Sequence, residues 1–137
     1  MNPILKNTLA LFAGVVVGGL VNMGIVMISG SIIPPPEGAD NTTVEGLKES
    51  MHLFEPKHFF FPFLAHALGT LTGAWITARI AASYQILLAL VVGCFFLIGG
   101  IYAVMLLPSP LWFSIVDLVG AYLPMGYLGA ILGKRKS

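Results

Sequence analysis

Residues 111–132 read LWFSIVDLVGAYLPMGYLGAIL, an apolar run of 22 positions interrupted by one carboxylate, Asp117. At about 1.5 Å of rise per residue, a helix of this length crosses the roughly 30 Å hydrocarbon layer of a bilayer. An ionised group at that depth is costly against lipid, so Asp117 is expected to face a bundle interior and to have a partner there. The nearest equivalent elsewhere in the chain is His66, also inside a long apolar run.

Three further runs reach spanning length, namely Leu5–Ile28, Phe59–Ala82 and Gln85–Leu107. The links between the second and third and between the third and fourth are very short, which makes those segments antiparallel neighbours. Only the first link, residues 29–58, is long. Composition agrees with lipid as the solvent. The chain is 57% hydrophobic and 9% charged, where a soluble domain carries about 25% charged residues. Net charge is +1, which excludes a nucleic-acid partner. The expected fold is an all-α integral membrane protein, residues 1–137 forming one compact bundle of four transmembrane helices. The one cysteine, Cys94, rules out an intrachain disulfide and reads as a small buried hydrophobe. Lys6 and Ser29-Gly30-Ser31 resemble the ends of a signal peptide. The apolar run between them exceeds the usual 7–15 residues of a signal core, so a retained helix is expected.

Orientation follows from the basic residues. Lys6, Arg79, Lys134, Arg135 and Lys136 share one side, whereas the other holds only Lys48 and Lys57. Positive-inside counting predicts a plasma or bacterial inner membrane protein with both termini cytoplasmic and the 29–58 loop outside. That loop holds five of the six acidic residues. Pro34-Pro35-Pro36 gives a stiff exit from the first span. Thr42-Thr43-Val44-Glu45 reads as a capping box, and Val44, Leu47, Met51 and Phe54 recur at helical spacing, predicting a surface helix over 43–54. On its polar face Glu45, Glu49 and His52 fall close together and are the candidate metal ligands; a solvated acidic face produces the same pattern.

Inside the spans, His66, Gly69, Thr70, Gly73 and Thr77 share one helix face, with Leu64, Leu68, Leu71 and Trp75 opposite. Small and polar residues on one side mark the face that meets other helices. Asp117, Gly120, Ala121 and Pro124 form a similar face on the fourth span, at an offset of 51 from the second. Gly18-Gly19 and Gly99-Gly100 match more weakly, suggesting two tandem helical hairpins with parallel-repeat symmetry. The candidate close-packing glycines are Gly14, Gly18, Gly69, Gly73, Gly93, Gly100, Gly120, Gly129 and Gly133, and Ala89, Gly93, Phe96, Gly100, Ala103 and Leu107 form a heptad seam. Counting from the loop ends of the spans sets Asn22, His66 and Asp117 about 10 Å deep, with Tyr102 slightly shallower. These four residues form the candidate intramembrane polar cluster.

No nucleophile–base set and no cofactor motif is legible; bis-histidine haem ligation needs a second deep histidine, which only a dimer supplying His66 from each chain would provide. Two function classes fit the chain. One is a non-catalytic subunit or scaffold of a larger membrane complex, consistent with its small size and many packing seams. The other is a proton-linked or small-solute transporter or channel working through the His66/Asp117 region, with a homo-oligomer expected because four short helices enclose little volume.

Overall fold

The computed structural model describes residues 1–136. It is all-helical, with no strand among the described residues, and four of its helical segments are long and apolar enough to cross a membrane. The elements are α1 (Pro3–Ile32), α2 (Val44–Ser50), α3 (Phe60–Ile80), α4 (Gln85–Leu106), α5 (Leu111–Gly120) and α6 (Leu123–Gly133). Short 3-10 turns cover Met51–Leu53 and Pro56–Phe59. The end that carries residues 33–59 is called the loop end, and the end that carries the termini the terminal end.

α1 starts where the Asn2 side chain accepts from the Ile4 N–H at 2.8 Å, with Pro3 in the first turn where its missing N–H costs nothing. It ends at Ile32, before the three prolines. Its 30 residues make it about 45 Å long, more than the sequence reading assigned. α3 is the central helix, packed against α1, α4 and α6. α1 and α3 cross through glycines on both sides. A Cβ on Gly73 would lie 2.6 Å from the Gly14 carbonyl oxygen, and one on Gly18 would lie 2.6 Å from that of Gly69. Neither helix has room for a methyl group at these points. Gly129 and Gly133 bring α6 equally close to the backbone of α3 at Leu71 and Trp75. Gly100 accommodates the Tyr122 ring.

Two of the expected close contacts are looser than the sequence suggested. Gly93 and Gly120 meet their nearest neighbours only at ordinary van der Waals distance, 3.5 and 3.6 Å. The tighter residue on that interface is Gly126, whose Cβ would lie 3.3 Å from the Gly93 Cα. The packing is not two-fold either. α3 lies against α4, but α1 has no comparable contact with α5 or α6, so the tandem-hairpin symmetry is absent from the arrangement. Cys94 is exposed rather than buried.

The fourth long apolar segment is broken. α5 ends at Gly120 and α6 begins at Leu123, although the sequence read as one continuous helix. Pro124 is the cause: it has no N–H to offer the Gly120 carbonyl, and its ring crowds that turn. The last bond of α5 runs from Ala121 N–H to Asp117 O (2.9 Å), the first of α6 from Gly126 N–H to Tyr122 O (2.7 Å).

The 33–59 segment is folded. Thr43, not Thr42, caps α2, its hydroxyl accepting from Gly46 N–H at 2.9 Å. Thr42 instead donates to the Asp40 carboxylate through both its hydroxyl (2.6 Å) and its backbone N–H (2.9 Å). Those bonds, the hydroxyl's first, hold the Asp40 carboxyl below its ordinary value. Asp40 N–H in turn donates to the buried Ser50 hydroxyl at 2.9 Å. The underside of the segment is apolar: Met51 and Phe59 pack on Phe113, flanked by Leu47, Phe54, Phe63 and Leu107. Val44 stays exposed. The segment therefore sits as a lid on the loop end of α3 and α5.

Candidate functional site

His66, on the inward face of α3, and Asp117, on α5, meet under this lid. His66 Nδ1 lies 2.8 Å from Asp117 Oδ1, and Tyr122 Oη lies 3.1 Å from Oδ2 of the same carboxylate. Asp117 is 2% exposed, so it must find its partners within the protein. An ionised carboxylate can only accept, so with Asp117 ionised the His66 proton lies on Nδ1. His66 Nε2 then carries a lone pair that no group among the described residues takes up. The Tyr122 ring stacks on the imidazole with centroids 5.7 Å apart, fixing its plane. A carboxylate-oriented imidazole with one free nitrogen is a proton acceptor, and in its charged form a donor.

Tyr122 is a site residue that the sequence did not reveal. On an unbroken helix a residue five positions beyond Asp117 points about 140° away from it. The break at Ala121 and Tyr122 removes that rule and swings the phenol back onto the carboxylate. Tyr102, expected in the cluster, is a correction: it is 66% exposed and lies on the outer side of α4. Its depth suited the cluster but its face did not, because Gly100, two residues away, faces inward. Asn22 continues the Ala10-Gly14-Gly18 stripe of α1 and reaches the same region without bonding to His66.

Two cavities adjoin the imidazole. The larger, about 300 Å³, lies beneath the lid between α1, α3 and α4; its walls include Val26, Met51, Phe54, Phe59 and Leu107, with His66 and Asp117 among the residues lining it. The smaller, about 180 Å³, is lined by His66, Asn22, Thr70, Phe96 and Tyr122. His66 lines both. A single chain thus already offers space beside the imidazole.

Past this point the packing closes. Gly14 and Gly73 are in contact, and Thr77 donates its buried hydroxyl to Ala10 O at 3.1 Å. At the terminal end, Asn7 Oδ1 accepts from Ala82 N–H at 2.8 Å while its amide donates to the Ser83 hydroxyl at 3.0 Å. Arg135 donates to Arg79 O (3.0 Å) and Ala81 O (2.7 Å). These bonds clamp the turn into α4, where Tyr84 takes a left-handed φ of 51°.

The metal candidates do not assemble. α2 gives way to a 3-10 turn at Met51, which breaks the shared face, and His52 Nδ1 is occupied by the Glu49 carbonyl at 2.8 Å. Among the described residues no three His, Cys, Asp or Glu side chains are placed to hold a metal ion, so Glu45, Glu49 and His52 read as a solvated face. Comparison with known proteins adds no function to this geometry: no family model, no curated protein and no solved structure matches the chain.

Proposed function

We propose that this chain is a multi-pass membrane protein that takes up a proton from the loop side through His66. In this reading the four apolar segments cross the bilayer, the termini are cytoplasmic and the lid faces outward, in accord with the bias of basic residues. The observation that carries it is the Tyr122–Asp117–His66 chain of hydrogen bonds, with the free imidazole nitrogen beside cavities at the loop end. A buried ionisable pair that served only to join helices would need no cavity beside it. The sealed terminal half matches one state of a carrier, in which a proton enters from one side only.

The test is proton flux into proteoliposomes loaded with a pH-sensitive dye, with potassium and valinomycin to balance charge. Wild-type protein should dissipate an imposed pH gradient at least tenfold faster than His66→Gln, and Asp117→Asn should fall near His66→Gln. Equal rates for wild type and His66→Gln would refute the reading.

A second reading, a subunit of a larger membrane complex, is favoured by α1. Only 11% of its spanning window is buried, and Phe12, Leu20, Met23 and Met27 lie on the uncovered side. Lipid or a partner helix would cover that face equally well. Crosslinking from Leu20→Cys in native membranes, in a Cys94→Ala background, separates the two: a single stoichiometric partner supports the subunit, and its absence supports lipid.

A further inference from the structure

Thr70 is the one buried side-chain polar group among the described residues with no hydrogen-bond partner. Its neighbours show how unusual that is. A threonine hydroxyl in a helix normally donates to the carbonyl one turn back, as Thr8 does to Ile4 O at 2.9 Å. Thr77, two turns from Thr70 on the same helix, reaches across to Ala10 O instead. Thr70 does neither and is 1% exposed, yet it lines the smaller cavity. Burying a hydroxyl without a partner is destabilising, so an acceptor that reached it from the cavity would relieve that cost.

The rest of the wall states what the occupant must offer. His66 Nε2 presents a lone pair and so needs a donor, whereas the Thr70 hydroxyl is free to donate and so needs an acceptor. Asn22 brings a carboxamide able to do both. The one carboxylate nearby, Asp117, is already satisfied on both oxygens and leaves nothing to balance a charged guest. Phe96 and the edge at Gly99 and Gly100 give a flat apolar side. The volume of about 180 Å³ holds several waters or one molecule of a few heavy atoms.

We propose that the smaller cavity is a binding site for a small uncharged molecule that carries a hydrogen-bond donor beside an acceptor, a hydroxyl or carboxamide on a short apolar body. Thr70 and His66 hold its two ends. The inference rests on the proposed reading through His66, whose nitrogen serves both.

The experiment uses acetamide as the probe and the full chain in lipid nanodiscs. The readout is the imidazole ¹⁵N signal of His66, assigned by its loss in His66→Gln. Acetamide should shift this signal saturably with a millimolar midpoint. Thr70→Val, which keeps the shape and removes the hydroxyl, should raise the midpoint at least tenfold, and Thr70→Ser should restore it. Without acetamide, Thr70→Val should melt higher than wild type, since it deletes an unpaired buried hydroxyl, which separates lost binding from lost folding. An unsaturable shift, an unchanged midpoint in Thr70→Val, or water cross-peaks at Thr70 with no response to acetamide would each overturn the site. Failure here leaves the proton-flux comparison of His66→Gln intact, and a flat flux with Thr70-dependent binding removes transport while keeping the site.

Discussion

The two halves of this molecule are built from different residues and end up with different properties. The terminal half is held by Ala74, Ala78, Ala89 and Ala130, all fully buried, and by glycines that let backbones touch. The loop half is filled by Met51, Phe59, Phe113 and Tyr122. Small side chains let helices approach until Gly14 on α1 meets Gly73 on α3. Large rings hold them apart and fill the gap incompletely, so both cavities beside His66 and the only buried charge of the spans lie in that half. Close packing closes one end, and imperfect packing leaves cavities at the other.

If this contrast is real, the two halves should respond differently to substitution. The largest effect is expected at Gly73→Ala, whose new methyl group would meet the Gly14 carbonyl at 2.6 Å and must push α1 away. A loss of about 2–3 kcal/mol is expected on the scale of overpacked sites, read by reversible unfolding in mixed detergent micelles. Gly99→Ala, with nothing within 4 Å, is the matched control and should not destabilise, because alanine is the better helix former. Equal effects at both positions would remove the seal from the account.

Next in size is Asp117→Asn. An amide accepts at one end only, so either His66 or Tyr122 loses its acceptor, at a cost of about 1–3 kcal/mol. His66→Gln combined with Asp117→Asn should cost less than the sum of the two, as expected for groups in one network. Tyr122→Phe removes a single bond and should cost about 1 kcal/mol. Additive behaviour would show the two residues to be independent.

A smaller global effect is expected from Met51→Ala in the lid. Hydrogen exchange over residues 44–53 should accelerate while melting of the spans barely moves, because the lid opens as a local unit. The smallest effect concerns pH. The carboxyl of Asp40 is held low in the folded lid, so its contribution is complete above the ordinary carboxylate range and is lost as pH falls through the depressed value. Lid exchange should accelerate in that acidic window in wild type and be insensitive to it in Asp40→Asn.

The long apolar helices and the His66–Asp117 contact are legible because helical periodicity and position along the helix both survive in a straight helix. His66 shares its face with Gly69 and Gly73, and Asp117 is the one carboxylate in an apolar run, so their meeting follows from the pattern. What escaped was whatever depended on a departure from that geometry. Tyr122 reaches Asp117 only because Pro124 breaks the span, and the register of a break is not written in periodicity. Tyr102 was placed by depth without regard to its face. Glu45, Glu49 and His52 shared a face only on a helix that in fact ends at Ser50. The cavities were illegible for another reason: volume is what remains after large side chains pack, and no local spacing encodes it.

The proposed role requires that His66 exchange its proton with the loop side and be sealed from the terminal side. The direct measurement is the ¹⁵N signal of the His66 imidazole in proteoliposomes with the lid outward, where the external and internal pH are set independently. The signal should titrate with external pH at fixed internal pH, and should not respond to internal pH. A signal that follows internal pH, or that follows neither, would contradict the claim.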